Sequence, residues 1–537
     1  VINTIKKVVD KERLFDSIWT SLEELLKDYD KSEIKRINLS TTVSTNAIVE
    51  DKTSPVGMII QSGPGINNDF SSCKAQIEEI TGYIDHRGVI VESLDLVEVQ
   101  RALDAFKKQK ISSCAVVSKF STRNPKNELS IGKILDKDFG NISLGHRMSG
   151  KLNFPRRVYS SYLNAAVYGT FKDFSTNIKR SLEKEGVKSP IYILKADGGT
   201  MDIKTAEKMP VETILSGPAA SFMGISAMLP TEEDAILLDV GGTTTDIFFL
   251  ADGVPLFEPL GAQISDYKTL VRAIYSVSIG LGGDSAVSVE DASLKIGPRR
   301  EGRPFALGGP KPTPSDAMIY LGLMDVSEDL AKEKAKEAME LLADKLNIRA
   351  KEVAERILTT MAEIIKKKTD QLLIKINSKP VYTIGELLHG KKVKPKNLYL
   401  IGGPARVLSP LLEKQYDLPC HFPANFAVAN AIGAALAKPT MEITMLADTS
   451  QRILSVPELG VYEKIPKNYT LDRAKAKARE LLKSYALSAG LKEEDFESEI
   501  TEESSFNMVD GFYTKGKNIR VKAQIKPGHI LKLRSDN

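Results

Sequence analysis

The 537-residue chain reads as an α/β protein of layered type. Apolar strand-like runs alternate with amphipathic helical stretches through the first third of the sequence. Residues 235–250 hold two apolar runs around a glycine turn, the pattern of a β-hairpin. Residues 398–401 form an apolar run that meets Gly402, Gly403 and Pro404, the order of a strand, a turn and a helix start.

Taken in order, residues 11–26 carry apolar positions at helical spacing, and 37–46 read as a strand running into a Ser/Thr turn. Residues 56–61 form a short buried strand, 94–109 an amphipathic helix, and 113–117 another strand. A long helix is expected over 158–182. A strand over 190–194 ends in Asp197-Gly-Gly, and 211–215 run into Ser216-Gly-Pro-Ala-Ala220. Ser278-Ile-Gly-Leu-Gly-Gly-Asp-Ser285 is a glycine turn, a weak signal alone because most glycine clusters are plain turns. Residues 297–314, rich in Gly, Pro and Arg, suit an extended loop. Residues 327–368 favour two helices broken near Asn347, with Ser327 as N-cap of the first. Residues 427–436 form a helix of small residues, and beyond 440 short strands surround a basic helix at 471–486.

A chain this long exceeds one hydrophobic core, so two or three domains are expected. Apolar and charged fractions of 42% and 27% are those of a globular protein. Lysine plus arginine number 74 against 70 acidic residues, a balance too even to suggest a nucleic-acid or membrane surface by itself. Cys73, Cys114 and Cys420 lie far apart with no C-x-x-C, which suits buried thiols in a reduced, cytoplasmic protein. No apolar stretch approaches the length of a membrane span.

The chemistry concentrates in Asp239-Val-Gly-Gly-Thr-Thr-Thr-Asp246. Gly241 and Gly242 let backbone N–H groups approach a phosphate, and Thr243, Thr244 and Thr245 add hydroxyls. Asp239 and Asp246 suit a hydrated magnesium ion or an attacking nucleophile. No G-x-x-x-x-G-K-[ST] occurs, so this phosphate loop is not of the Walker type. At Gly402 and Gly403 the strand–glycine–helix junction offers free N–H groups and a positive dipole end to a ligand, or merely connects two elements.

Several of these pieces, in this order, resemble the hydantoinase A/5-oxoprolinase family. Ser40-Thr-Thr-Val-Ser-Thr-Asn-Ala-Ile-Val-Glu50 is similar to its G-T-T-V-A-T-N-A-L-L-E. Asp197-Gly-Gly-Thr-Met201 and Pro210-Val-Glu-Thr-Ile-Leu-Ser-Gly-Pro-Ala219 look like N-G-G-L-M and R-P-V-E-T-L-L-S-G-P-A. The hairpin matches D-M-G-G-T-S-T-D, Ile279-Gly-Leu-Gly-Gly-Asp-Ser285 resembles I-G-A-G-G-G-S, and Ile401-Gly-Gly-Pro404 stands for F-G-G-A-G. The likeness covers about residues 37–440.

That family belongs to the actin-like ATPase superfamily, which implies two ribonuclease-H-like lobes of actin and sugar-kinase type with nucleotide in a cleft between them. On this chain it implies a first lobe at 1–185, a second at 186–440, and a small C-terminal α+β module at 441–537. It also implies ATP and magnesium as cofactors, and phosphorylation of the oxygen of an amide or carbonyl substrate such as a hydantoin, oxoproline, lactam or ketone. An amide is a poor electrophile, and phosphorylating its oxygen supplies a leaving group. Asp239 would hold magnesium through water, Gly241, Gly242, Thr243 and Thr244 would meet the phosphates, and Asp246 would orient the acceptor or a metal water. Gly282 and Gly283 join the nucleotide set, and Gly402 and Gly403 the adenosine. Thr41, Thr42 and Asn46 would act near the acceptor, with Asp197 and Ser216 as lesser candidates. A helix N-cap or turn role for Asn46 is equally open. A second, hydantoinase B-type subunit and an oligomeric assembly are expected, with no nucleic-acid or membrane partner. Two other functions stay open: a regulatory or scaffold protein that binds nucleotide without turnover, and a small-molecule kinase.

The chain also departs from the family pattern. The first-lobe hairpin D-x-G-G-T-x-T-D is absent, so either it precedes Val1 or the lobe is degenerate; the start at Val favours the former. Without it, weakened phosphate grip and little catalysis are expected. Leu39 stands where the family has His, Gly302-Arg-Pro-Phe-Ala-Leu-Gly-Gly309 replaces A-D-P-G-P-A-C-Y-G, and Arg406-Val-Leu-Ser409 replaces a Leu-His pair. Losing two histidines changes what the site can bind or protonate. His146 is expected to be a surface or hydrogen-bonded residue, and no metal cluster is evident among the five histidines.

Overall fold

The computed structural model describes residues 1–7, 14–65, 68–324, 326, 329–378, 392–489, 491–493, 496–526, 528–531 and 533. The chain divides into two compact units. The first comprises Val1–Ala219, Glu258–Ala273 and Ala437–Ile530, and the second Ala220–Phe257, Ile274–Leu436 and the residues from Leu531. These limits depart from the expected boundaries at 185 and 440. Strand Ile191–Leu194 pairs in parallel with Ile37–Leu39, which binds the residues after 185 to the first unit.

Three sheets make up most of the first unit. Ile37–Leu39, Ile191–Leu194 and Thr200–Asp202 form a small sheet. Ala75–Glu79, Val56–Gln61, Ser113–Ser118 and Asn141–Leu144 form a parallel sheet in that order. Val56–Gln61 and Ser113–Ser118 are buried on both faces, which is why they read as continuous apolar runs. Helix Phe154–Lys184 starts with the Asn153 side chain accepting the Arg156 N–H and with proline in its first turn. It is buried on nearly every side from Arg157 to Val167. The third sheet is antiparallel, in the order Val461–Lys464, Ile453–Val456, Glu442–Asp448, Tyr513–Ile525, Ser498–Asp510, and helix Leu471–Ser488 packs against it. These strands and this helix fall within the first unit, which takes in residues 437–530, and not in a unit of their own.

One expectation fails locally. Residues 43–46 are not strand or turn but the start of helix Val43–Val49. Ser44, Ala47 and Ile48 are its buried residues, a helical spacing that the β-branched neighbours hide in the sequence.

The second unit is built on one sheet, in the order Val254–Pro255, Thr245–Ala251, Ala235–Val240, Asn397–Ile401, Cys420–His421, with Ser276–Ile279 also pairing with Thr245–Ala251. Helices Asp329–Leu346 and Ala350–Asn377 flank a break at Asn347, whose φ of 54° is left-handed. Ser327 lies outside the described residues. Ile236, Leu238, Ile247 and Phe249 of the hairpin pack against Met339, Ile357, Met361 and Leu408 in one apolar core. Among the described residues no helix is long and apolar enough to cross a membrane. The three cysteines are free, and burial pushes Cys73 and Cys114 up to about 12, far from a reactive thiolate.

Candidate functional site

The hairpin of the second unit pairs Asp239 with Asp246 and Val240 with Thr245 in antiparallel register. Both aspartates therefore stand at the mouth of the turn. At its tip the Gly241 N–H donates to the Thr244 carbonyl at 2.9 Å. Among the described residues, no hydrogen bond uses the backbone N–H of Gly242, Thr243 or Thr244. Three successive open donors in one turn make an anion-binding nest. The Thr245 hydroxyl is not part of it: the residue is buried and donates to the Leu281 carbonyl at 2.7 Å.

Gly282 and Gly283 brace this tip from behind. The Gly283 N–H donates to the Gly241 carbonyl at 2.9 Å, and the Asp284 N–H to the Gly242 carbonyl at 2.7 Å. The Gly282 N–H is taken by the Ser285 hydroxyl at 2.9 Å. These two glycines thus spend their donors inside the protein. A Cβ on Gly282 would stand 2.5 Å from the Gly242 carbonyl carbon, so glycine is what lets the two turns touch. Asp284 reaches over the tip and pairs with Arg300 at 2.9 Å, while Arg300 also donates to the Thr243 hydroxyl at 3.1 Å. A cation is thereby held beside the open N–H groups.

Asp239 is fixed by two neighbours. The Ser221 hydroxyl donates to its Oδ2 at 2.6 Å, and Asn430 Nδ2 lies 3.3 Å from the same oxygen. Burial pushes Asp246 up to about 6, with the Asp239 charge adding and a Ser278 hydrogen bond opposing. Strand Asn397–Ile401 runs parallel to Ala235–Val240 and brings Gly402 beside Asp239. Gly402 has φ +94°, and a Cβ there would stand 2.1 Å from the Val240 carbonyl oxygen. Gly403 is exposed at the start of helix Ala405–Tyr416. The hairpin mouth presents the carboxylate oxygens of Asp239 and Asp246. Among the described residues no group of three or more His, Cys, Asp or Glu is poised to hold a metal by itself.

The other expected residues lie in the first unit. Thr42 and Asn46 are exposed and bonded to each other at 3.2 Å, Asn46 inside the helix and not at its cap. Thr41 is buried, its hydroxyl accepting the Val43 N–H at 3.2 Å and its carbonyl accepting the Ser216 hydroxyl at 2.8 Å. Asp197 pairs with Lys195 at 3.0 Å. Burial opposes its ionisation, but Lys195, Arg272 and the Gly199 N–H hold it below the usual carboxylate range. His146 is fully buried, with Nδ1 2.5 Å from Glu128 Oε2. Glu128 also accepts the Ser118 and His146 N–H groups, and Arg157 bonds the nearby Ser118 carbonyl at 2.7 Å.

Sequence reasoning missed Ser221, Asn430, Asp284 and Arg300. Asp284 had a visible signal, since it stands where the resembled motif has its fourth glycine. Ser221 and Asn430 had none, the first being one of three serines in its helix and the second a lone polar residue in a small-residue helix.

Residues 157–443 match the family model for hydantoinase/oxoprolinase, and residues 1–139 match that for the hydantoinase/oxoprolinase N-terminal region. The chain belongs to the hydantoinase/oxoprolinase family. Among its relatives is caprolactamase subunit alpha of Pseudomonas jessenii, 25% identical over 479 residues that cover 83% of this chain and 62% of that one. Another is the acetophenone carboxylase gamma subunit of Aromatoleum aromaticum, 23% identical over 532 residues, with 88% and 68% covered. The chain spans 47% and 62% of the length of two of the curated relatives it matches. Its fold is that of the ATP-dependent caprolactamase from Pseudomonas jessenii, with a TM-score of 0.69 at 18% identity over 98% of this chain and 83% of that one.

Proposed function

We propose that this chain is the nucleotide-using subunit of an enzyme that activates the oxygen of an amide or ketone by phosphorylation from ATP. The observation that carries the reading is the run of open N–H groups at Gly242, Thr243 and Thr244, bounded by Asp239 and Asp246. Such a nest binds phosphate oxygens, and Arg300 adds a charge beside it. Magnesium would be held through water by Asp239, where it neutralises phosphate charge. Asp246 would orient the acceptor, and Gly402 would let the adenosine approach the sheet. Thr42 and Asn46 would serve the acceptor side, with Thr41 positioning them. Relatives named for a lactam and for a ketone carboxylase agree with a substrate whose oxygen is a poor leaving group until phosphorylated. Two relatives named as subunits support a separate partner chain.

Calorimetric titration with magnesium-ATP, beside an Asp239→Ala variant, tests this. The intact chain should bind, and the variant should lose at least tenfold in affinity. Equal binding by both would overturn the assignment of the hairpin.

A further inference from the structure

The open donors at the hairpin tip have a charged neighbour that the nucleotide reading leaves without a task. Asp284 is anchored to the tip by its own N–H, which donates to the Gly242 carbonyl at 2.7 Å. Its carboxylate folds back against the same glycine: a Cβ on Gly242 would stand 2.7 Å from Asp284 Oδ2. A negative charge therefore sits at the edge of a turn whose free N–H groups suit an anion. Among the described residues, none of those N–H groups donates to it, so the carboxylate adjoins the nest without filling it.

The two members of the Asp284–Arg300 pair are held with unequal firmness. Asp284 Oδ1 accepts the Ser315 hydroxyl at 3.0 Å. Ser315 is itself buried at the start of helix Pro314–Tyr320, with its N–H donating to the Gly283 carbonyl at 2.7 Å. The Asp284 side chain is 16% exposed, whereas Arg300 stands on an irregular loop with 39% of its side chain exposed. The guanidinium is spread over three acceptors: Asp284 Oδ2 at 2.9 Å, the Thr243 hydroxyl at 3.1 Å and the Gly302 carbonyl at 2.9 Å. A partly exposed ion pair of this kind is weak and exchangeable. Phosphate offers the same guanidinium two parallel hydrogen bonds and more charge. Arg300 is thus the partner that can turn, and Asp284 the one that stays.

We propose that Asp284 is a built-in rival of phosphate: it holds Arg300 while the nest is empty, yields it to the arriving phosphate, and reclaims it as phosphate leaves. This role rests on the nucleotide function proposed above and adds a regulation of that same site. Two effects oppose binding. Arg300 must give up its carboxylate, and the carboxylate, tethered by Ser315, is then left uncovered beside the phosphate. Affinity held down in this way shows as faster release of the nucleotide.

The test is a double-variant cycle, read by calorimetric titration of the full chain with magnesium-ATP. Asp284→Asn should bind about tenfold more tightly than the parent, and displacement of a fluorescent ATP analogue should slow by a similar factor. In an Arg300→Met background the same change should gain no more than about threefold, because only repulsion is left to relieve. The gain should shrink as salt is raised. Asp284→Ala should repeat the result, which guards against an asparagine variant that misfolds or still holds Arg300 through its amide oxygen. An equal gain in the two backgrounds would mean plain repulsion and overturn the competition. Weaker binding by both Asp284 variants would make Asp284 a group that holds the metal or the nucleotide, and would overturn it too. If the parent binds, Asp239→Ala does not, and the Asp284 variants match the parent, the hairpin assignment stands and this inference alone falls. If none of the proteins binds, both fall.

Discussion

In a Gly402→Ala protein the new methyl carbon would stand 2.1 Å from the Val240 carbonyl oxygen and 2.9 Å from Asp239 Oδ1. An ordinary carbon–oxygen contact is about 3.3 Å, so strands Ala235–Val240 and Asn397–Ile401 must part locally by about 1 Å. The φ of +94° adds backbone strain, about 1–2 kcal/mol for a residue with a Cβ, and the overlap adds about 1–3 kcal/mol. A total of about 2–5 kcal/mol should lower the melting temperature by roughly 5–15 °C at the size of this unit. Because Asp239 is one of the groups displaced, magnesium-ATP affinity should fall at least tenfold. The control is its neighbour: a Cβ on Gly403 would meet nothing within 4 Å. Gly403→Ala should therefore be neutral or slightly stabilising, by about 0.4–1 kcal/mol. Paired thermal melts and calorimetric titrations decide the matter. If the two variants melt together, the close approach at Gly402 is not what shapes the site.

Ser221→Ala removes a 2.6 Å hydrogen bond to the Asp239 carboxylate, worth about 1.5–3 kcal/mol for a charged acceptor. Magnesium-ATP binding should weaken about tenfold while the circular dichroism spectrum stays unchanged; unaltered affinity would remove Asp239 from the nucleotide site. Glu128→Gln leaves Arg157 without its nearby counter-charge and should cost about 3–5 kcal/mol in urea unfolding at pH 7. Burial resists ionisation of Glu128, yet His146 and Arg157 bring it below the usual range. Its contribution is therefore present above the ordinary glutamate range and is lost as pH falls through its lowered value. The gap between variant and parent should narrow on acidification, and a gap constant from pH 7 to pH 3 would refute the pairing.

The hairpin was legible because two continuous apolar runs flank Gly241 and Gly242, and a turn there places Asp239 opposite Asp246. Gly402 was legible for a related reason: a strand that ends in glycine beside proline has few alternatives. Helix Val43–Val49 was hidden because a run of Val, Ser, Thr and Asn favours strands and turns, and only burial of Ala47 and Ile48 selects the helix. The Arg300–Asp284 pair joins a turn to a loop that the sequence shows only as irregular. A pocket of the first unit around Glu212 was invisible for the same kind of reason. Its wall joins Arg147 and Lys195 to Glu442, Glu458 and Tyr485, hundreds of positions later.

That first unit closes only with residues 437–530. During synthesis, Glu442, Glu458 and Tyr485, which line one pocket with Lys195 and Glu212, emerge only after more than two hundred residues of the other unit have left the ribosome. Until then the small sheet and the pocket wall are a half-built surface with charged groups in water and apolar groups uncovered. The second unit draws most of its core from two stretches that emerge before residue 437. Vectorial synthesis therefore sets the unit that holds the Asp239–Asp246 hairpin ahead of the first unit in time, and makes loss of residues 437–530 a lesion of the N-terminal half.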